Sequence, residues 1–195
     1  MDSKINLPKP KQNGVKSLEQ AIATRRSRRS FLPKSLTLEQ IGQLVWAAQG
    51  RDAHSRYRTT PSAGATYPLE LFVVTKDGLF KYLSTEHALE GLIEGDIRNE
   101  LASAAWGQEF IEAAPVTLIV AAEFSRTTDH YGERGVRYVY MEAGHAAQNV
   151  HLQAEAMGLG SVAVGAFDDT SVSKVLSLPR SLEPIYMVVV GYCHS

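Results

Sequence analysis

A single cysteine, Cys193, stands in a chain of 195 residues. This excludes an intrachain disulfide, a thiolate zinc finger and an iron–sulfur cluster built from this chain alone, and it leads us to expect a reducing, cytoplasmic setting. No run of about 18 apolar residues occurs. The first sixteen residues carry Pro8, Pro10 and several lysines but no apolar stretch of signal-peptide length, so no membrane partner is expected. A surplus of positive charge is also missing. Twenty Lys+Arg face 21 Asp+Glu for a net charge of −1, too little to coat a polyanion, and no nucleic-acid partner is expected.

Several chemical signatures are absent as well. No Gly-x-Gly-x-x-Gly follows a strand-like run and no Gly-x4-Gly-Lys-Ser/Thr is present, which removes the common dinucleotide and P-loop phosphate sites. Gly-x-Ser-x-Gly is lacking, against a serine hydrolase. Glu142-x-x-His145 has the spacing of a di-iron carboxylate site, yet it occurs once, without the second copy and further glutamates such a site needs, and no metal is expected. Cys193 and His194 are adjacent and, in an extended tail, point apart.

With 44% apolar residues the chain can bury one sizeable core, and we expect an extended N-terminal arm over 1–16 followed by a single domain over 17–195. Ser17 to Gln20 and Thr37 to Gln40 each have capping-box spacing. The first opens a short helix. The second opens a helix over 38–49 with an apolar stripe from Leu38 to Ala48 and Gly50 as a left-handed stop. Leu69 to Thr75 and Leu79 to Leu83 read as an antiparallel hairpin about Lys76-Asp77-Gly78. Helical patterns cover 86–93 and 97–106, and Val116 to Ala122 reads as a central strand. A long helix over 136–157 carries small residues from Ala143 to Ala154 that would let another helix approach closely, and Gly158 closes it. Strands over 161–164 and 185–190 flank a short helix near 170–176. Strands and helices mix without strict alternation, so the expected class is α+β, a central mostly antiparallel sheet flanked by helices. The segments 51–67 and 126–134 are expected to be loops.

Arg25-Arg26-Ser27-Arg28-Arg29 places four arginines in five positions. Such a cluster repels itself unless an anion sits among it. Because the chain has no net basicity, the cluster suits one or two phosphates, whose oxygens match guanidinium forks while Ser27 adds a neutral donor.

Arg25-Arg26-Ser27-x-Arg29 with Phe31, then Pro61-Ser62-Ala63-Gly64-Ala65-Thr66-Tyr67-Pro68, then Gly158 through Asp168 together resemble, in order and spacing, the nitroreductase family of FMN-dependent oxidoreductases. The form of the second block, Leu7-Pro8-x-Pro10, and Tyr131 through Asn149 resemble in particular the branch holding the SagB-type azoline dehydrogenases. The resemblance implies a nitroreductase-like fold and a homodimer with FMN in clefts between subunits, the long helix packing on its mate. It implies that Arg25, Arg26 and Ser27 hold the FMN phosphate and ribityl chain and that Arg29 lies toward the N1 and O2 edge, where a cation favours the reduced anion. Pro61, Ser62, Ala63 and Ala65 would line the flavin from the partner subunit. Gly165 and Ala166 would offer backbone N–H groups to N5 and O4, and Asn149 joins the cofactor-binding set. NAD(P)H would be the hydride donor and a quinone, nitroaromatic or similar small molecule the acceptor. The alternatives are an azoline dehydrogenase acting on a modified peptide and a non-catalytic flavin-binding module. Tyr67, Tyr131 and Arg137 are candidates to orient a substrate or donate a proton near the open face.

Overall fold

The computed structural model describes residues 4–51, 54 and 56–193. Seven strands, β1 (Lys4–Asn6), β2 (Leu69–Thr75), β3 (Gly78–Leu83), β4 (Ala88–Glu94), β5 (Val116–Ala122), β6 (Gly160–Val164) and β7 (Glu183–Gly191), form one open sheet. Its order is β1-β4-β3-β2-β5-β7-β6, and every neighbouring pair is antiparallel. The helices are α1 (Leu18–Thr24), α2 (Leu38–Gln49), α3 (Arg98–Ala104), α4 (Glu109–Ala113), α5 (Ser125–Tyr131), α6 (Arg134–Ala156) and α7 (Asp169–Val175).

Successive side chains of a strand point to opposite faces, and here both faces are buried. Leu69, Leu71, Val73, Leu118, Val120 and Val188 join α2 and α6 in one core. Phe72, Val74, Ile119, Ala121, Met187 and Val189 join α3, α4 and α7 in a second. Continuous apolar runs such as Val116–Ala122 follow from this two-sided burial.

Both capping boxes form as the sequence predicts. Ser17 accepts from Gln20 N and Thr37 from Gln40 N, and each glutamine side chain returns to the cap backbone.

Three local expectations are corrected, and a fourth is met from within the chain. Residues 86–93 are not helical, because Ala88–Glu94 pairs with β3 on one side and β1 on the other; backbone pairing on both sides overrides a helix-like spacing of Leu89, Leu92 and Ile93. Gly50 is not left-handed (φ −71°). It is required by contact instead, since a Cβ there would lie 2.7 Å from the Trp46 backbone. Residues 126–134 are not a loop, for α5 occupies most of them and leads almost directly into α6. Finally, Ala143, Ala146, Ala147, Val150 and Ala154 pack against α2 residues Ile41, Leu44, Val45 and Ala48 and against the sheet. The close approach they permit is made within the chain, and the exposed face of α6 carries Val136, Tyr140 and Met141 instead.

Candidate functional site

α1 ends at Arg25, whose N–H caps the helix on Ala21 O at 2.9 Å. The chain then turns extended and lies along β6. Ser27 bridges Ser161, the Arg28 N–H donates to Ser161 O at 3.0 Å, and Phe31 bridges Cys193 beyond β7. The seat is tight, because a Cβ at Gly160 would meet the Cys193 sulfur and would lie 3.1 Å from Arg28 Cβ. Beneath it His151 of α6 and Ser161 form a buried 2.7 Å hydrogen bond. Burial, then the charge of Arg25, push the His151 pKa down and favour neutral imidazole. Arg25 and Arg28 are half-buried while Arg26, Ser27 and Arg29 are exposed. None of the four arginines forms an ion pair with a described residue. By donor chemistry the cluster suits an anion, and Glu155, which lies in the field of Arg28, is paired with Lys16.

The far end of β6 meets the same segment through α4. Gly165 and Ala166 are exposed just past β6, and Gln108 Nε2 donates to Ala166 O at 2.8 Å. Two residues on, the Phe110 ring faces the Arg29 guanidinium at 6.0 Å. Gln108 thus anchors the Gly165–Ala166 turn beside the position of Arg29, a link with no motif to announce it.

The Pro61 to Tyr67 block is a strained turn. Gly64, Ala65 and Tyr67 have φ of 59°, 54° and 48°, and a non-glycine residue held there costs about 1–3 kcal/mol. The surroundings hold the shape. Ser62 Oγ accepts the Tyr67 N–H at 2.9 Å, Thr66 and Thr127 share a 2.8 Å hydroxyl bond, and Arg126 donates to Tyr67 O at 3.1 Å while pairing with Glu70 and Glu123. Pro61, Gly64 and Ala65 remain exposed, and Ser62 and Ala63 half-buried.

The remaining candidates sit as follows. The Tyr67 hydroxyl accepts from Arg58 N at 3.2 Å, and its ring lies under the Arg58 guanidinium, so the tyrosine is engaged within the loop. Tyr131 packs edge-on against Tyr138 and closes over Gly64, where a Cβ would lie 2.7 Å from its hydroxyl. Arg137 lines a shallow surface hollow on α6 with Tyr140 and Met141. Asn149 spends both amide hydrogens inside the chain, on Ala47 O at 3.0 Å and Thr60 Oγ1 at 3.2 Å. It also borders a cavity of about 960 Å³ between the residue 8–18 arm, α2 and the end of α6.

Glu142 and His145 do not act together, the first being buried and the second exposed. Glu142 is 3% exposed, and its Oε1 has no hydrogen-bond partner. Burial raises its pKa to about 7, against the pull of the Ser62 hydroxyl and of Arg58. The sequence offers one sign of this, a glutamate between Val139 and Ala146 on the apolar stripe. Among the described residues no group of three or more His, Cys, Asp or Glu could hold a metal ion, and no helix is long and apolar enough to cross a membrane. His194 lies outside the described residues.

A crystal structure of a candidate nitroreductase from Ralstonia eutropha JMP134 superposes with a TM-score of 0.89 at 29% identity, over 98% of this chain and 90% of that one. The class is therefore that of the nitroreductase-like α+β oxidoreductases. The chain belongs to the nitroreductase family, whose model matches residues 22–192. A candidate nitroreductase of Methanocaldococcus jannaschii is 42% identical over 180 residues, 89% of this chain and 90% of the relative. More distant relatives are the Escherichia coli microcin B17-processing protein McbC, 28% identical over 80% of this chain and 61% of its own length, and an FMN reductase (NADPH) of Bacillus subtilis, 24% identical over 89% and 64%.

Proposed function

We propose that this oxidoreductase binds FMN along β6 and uses it to pass hydride from NAD(P)H to a small acceptor such as a quinone or nitroaromatic. One observation carries the reading: Arg25, Arg26, Arg28 and Arg29 are gathered against one edge strand and none forms an ion pair with a described residue, Glu155, which lies in the field of Arg28, being paired with Lys16. Among familiar cofactors a phosphorylated flavin suits this donor set, and the FMN reductase relative supports the choice. Bound there, FMN supplies reversible hydride chemistry that no side chain can.

The protein's share is binding and field. Arg25, Arg26 and Ser27 hold the phosphate by charge-assisted hydrogen bonds. Arg29 supplies positive charge where a reduced ring is electron-rich. The small Gly165–Ala166 turn, held from behind by Gln108, lets main chain approach the ring closely. The Pro61–Ala65 turn is a second wall, supplied by another copy of the chain. The spacing on α6 supports this: the turn lies at Glu142 and the arginines at His151, nine residues and about 14 Å apart along the axis. The exposed Val136, Tyr140 and Met141 offer an apolar face for that second copy.

FMN titration of the wild type and of R25A/R26A tests the site. We expect flavin uptake by the wild type and loss of at least about 100-fold in affinity for the variant, two charge-assisted contacts being removed. Equal uptake by both would move the phosphate elsewhere. The similarity to McbC favours a second reading, an azoline dehydrogenase. It predicts bound flavin that NAD(P)H reduces poorly and that turns over with a thiazoline or oxazoline. Flavin inert to both would mark a binding module.

A further inference from the structure

We infer that the cavity where the end of α2 meets β2, β3 and the segment after β3 is a binding site for a small monocarboxylate, held by Gln49 and Arg58. The cavity has a volume of about 210 Å³, and Gln49, Arg58, Glu70, Lys81, Ser84 and Thr85 are among the residues that line it. It shares none of the residues assigned to the flavin, so the inference stands apart from that reading.

Gln49 is the residue that points to a ligand. It closes α2 and is 2% exposed, and its side-chain oxygen accepts from Arg58 Nη1 at 2.7 Å. Only the oxygen of an amide can accept from a guanidinium, which fixes which way round the group lies. Nε2, with two hydrogens to give, is then left without a partner. A buried donor left unmade is costly, and this residue lines an opening.

The rest of the lining has donors to spare, while its carboxylates are engaged. Arg58 Nη1 also donates to Leu69 O at 2.7 Å. A guanidinium carries five N–H groups, so three of those on Arg58 have no partner among the described residues. The Thr85 hydroxyl oxygen accepts from Arg51 Nη2 at 3.1 Å, and its own hydrogen remains free to turn. Glu70, by contrast, gives one oxygen to Arg126 and the other to Lys81, and Glu86 pairs with Lys4. Glu142 of α6 contributes to the field of Arg58, yet neither Arg58 nor Arg51 forms an ion pair with a described residue.

Surplus donors around an unpaired guanidinium call for an anion. Because the carboxylates of the lining are already paired, Arg58 is the charge left over within it, and a monoanion balances it. A carboxylate is planar and accepts on two oxygens, which matches a guanidinium edge beside an amide N–H. The volume lies below the roughly 300–1,000 Å³ of drug-sized ligand sites, so the chain behind the carboxylate is short.

The test is titration of carbon-13-labelled acetate into wild type, Q49L and Q49E at constant ionic strength made up with chloride, read from the acetate line width. The wild type should saturate with a midpoint of about 1–10 mM, near what so few ligand atoms can supply. Q49L, which lacks the donor, should bind at least about tenfold more weakly. Q49E, whose own carboxylate sits beside Arg58, should not bind acetate. A wild type that does not saturate in that range, or a Q49L that binds as tightly, overturns the inference. So does inorganic phosphate that displaces acetate at a lower concentration than acetate itself requires. If both variants fold poorly, crystals of the wild type soaked in acetate decide the matter. A carboxylate bonded to Gln49 Nε2 and Arg58 supports the site, and water alone in the cavity overturns it.

Discussion

Glu142 and the four arginines are opposite solutions to holding charge in a fold. The carboxyl lies 3% exposed and evades its own charge, its pKa moving from 4.5 to about 7. A carboxyl raised in the folded state contributes stability that is fully present below its unfolded pKa and is lost as the pH rises through the folded one. For about 2.5 pH units this amounts to about 3 kcal/mol at 1.36 kcal/mol per unit. Urea unfolding of the flavin-free wild type should therefore show stability falling between about pH 4.5 and pH 7, with E142Q flatter over that window; equal slopes would mean that Glu142 titrates normally. The four arginines form no ion pair with a described residue, and in the proposed function they take an external phosphate. Their clustering was legible because charge density is written directly in sequence. The burial of Glu142 was less so, since it depends on what α6 packs against.

At the scale of elements, local signals were read well and partnered ones poorly. The caps at Ser17 and Thr37 and the α2 stripe depend on neighbours three or four residues apart; the caps appear as predicted, and the stripe is buried from Ile41 to Ala48 while Leu38 is exposed. β4 depends on β3 and β1 for its backbone bonds, and its apolar spacing alone suggested a helix. Gln108 holding Ala166 O and Asn149 bonded to Ala47 and Thr60 are equally long-range. One element-level prediction concerns the seat of the arginine segment on β6. G160A places a methyl against Cys193 and 3.0 Å from Arg28 Cδ. It should lower the thermal midpoint and weaken FMN binding together, by at least about tenfold. Unchanged FMN affinity would show that the register of the segment on β6 does not position the arginines.

For the whole molecule the fold came through in outline, as an α+β chain with a central antiparallel sheet and one long helix, because two-sided burial leaves continuous apolar strands and a striped helix. The small residues of α6 admit a neighbouring helix as the sequence suggests, and within the chain that helix is α2, while Val136, Tyr140 and Met141 lie exposed. The second-copy proposal places those exposed side chains at the interface. Y140E/M141E should sediment as a monomer and lose FMN in the same step, whereas a monomer that still binds FMN tightly would place a complete site in one chain. The central claim is a flavin reduced by nicotinamide on this chain. Its most direct test is the visible spectrum of the FMN-loaded protein, mixed anaerobically with NADH or NADPH and then with a quinone. We expect the flavin band to bleach with one or both nucleotides and return with the quinone. A bound flavin that neither nucleotide bleaches would contradict the account.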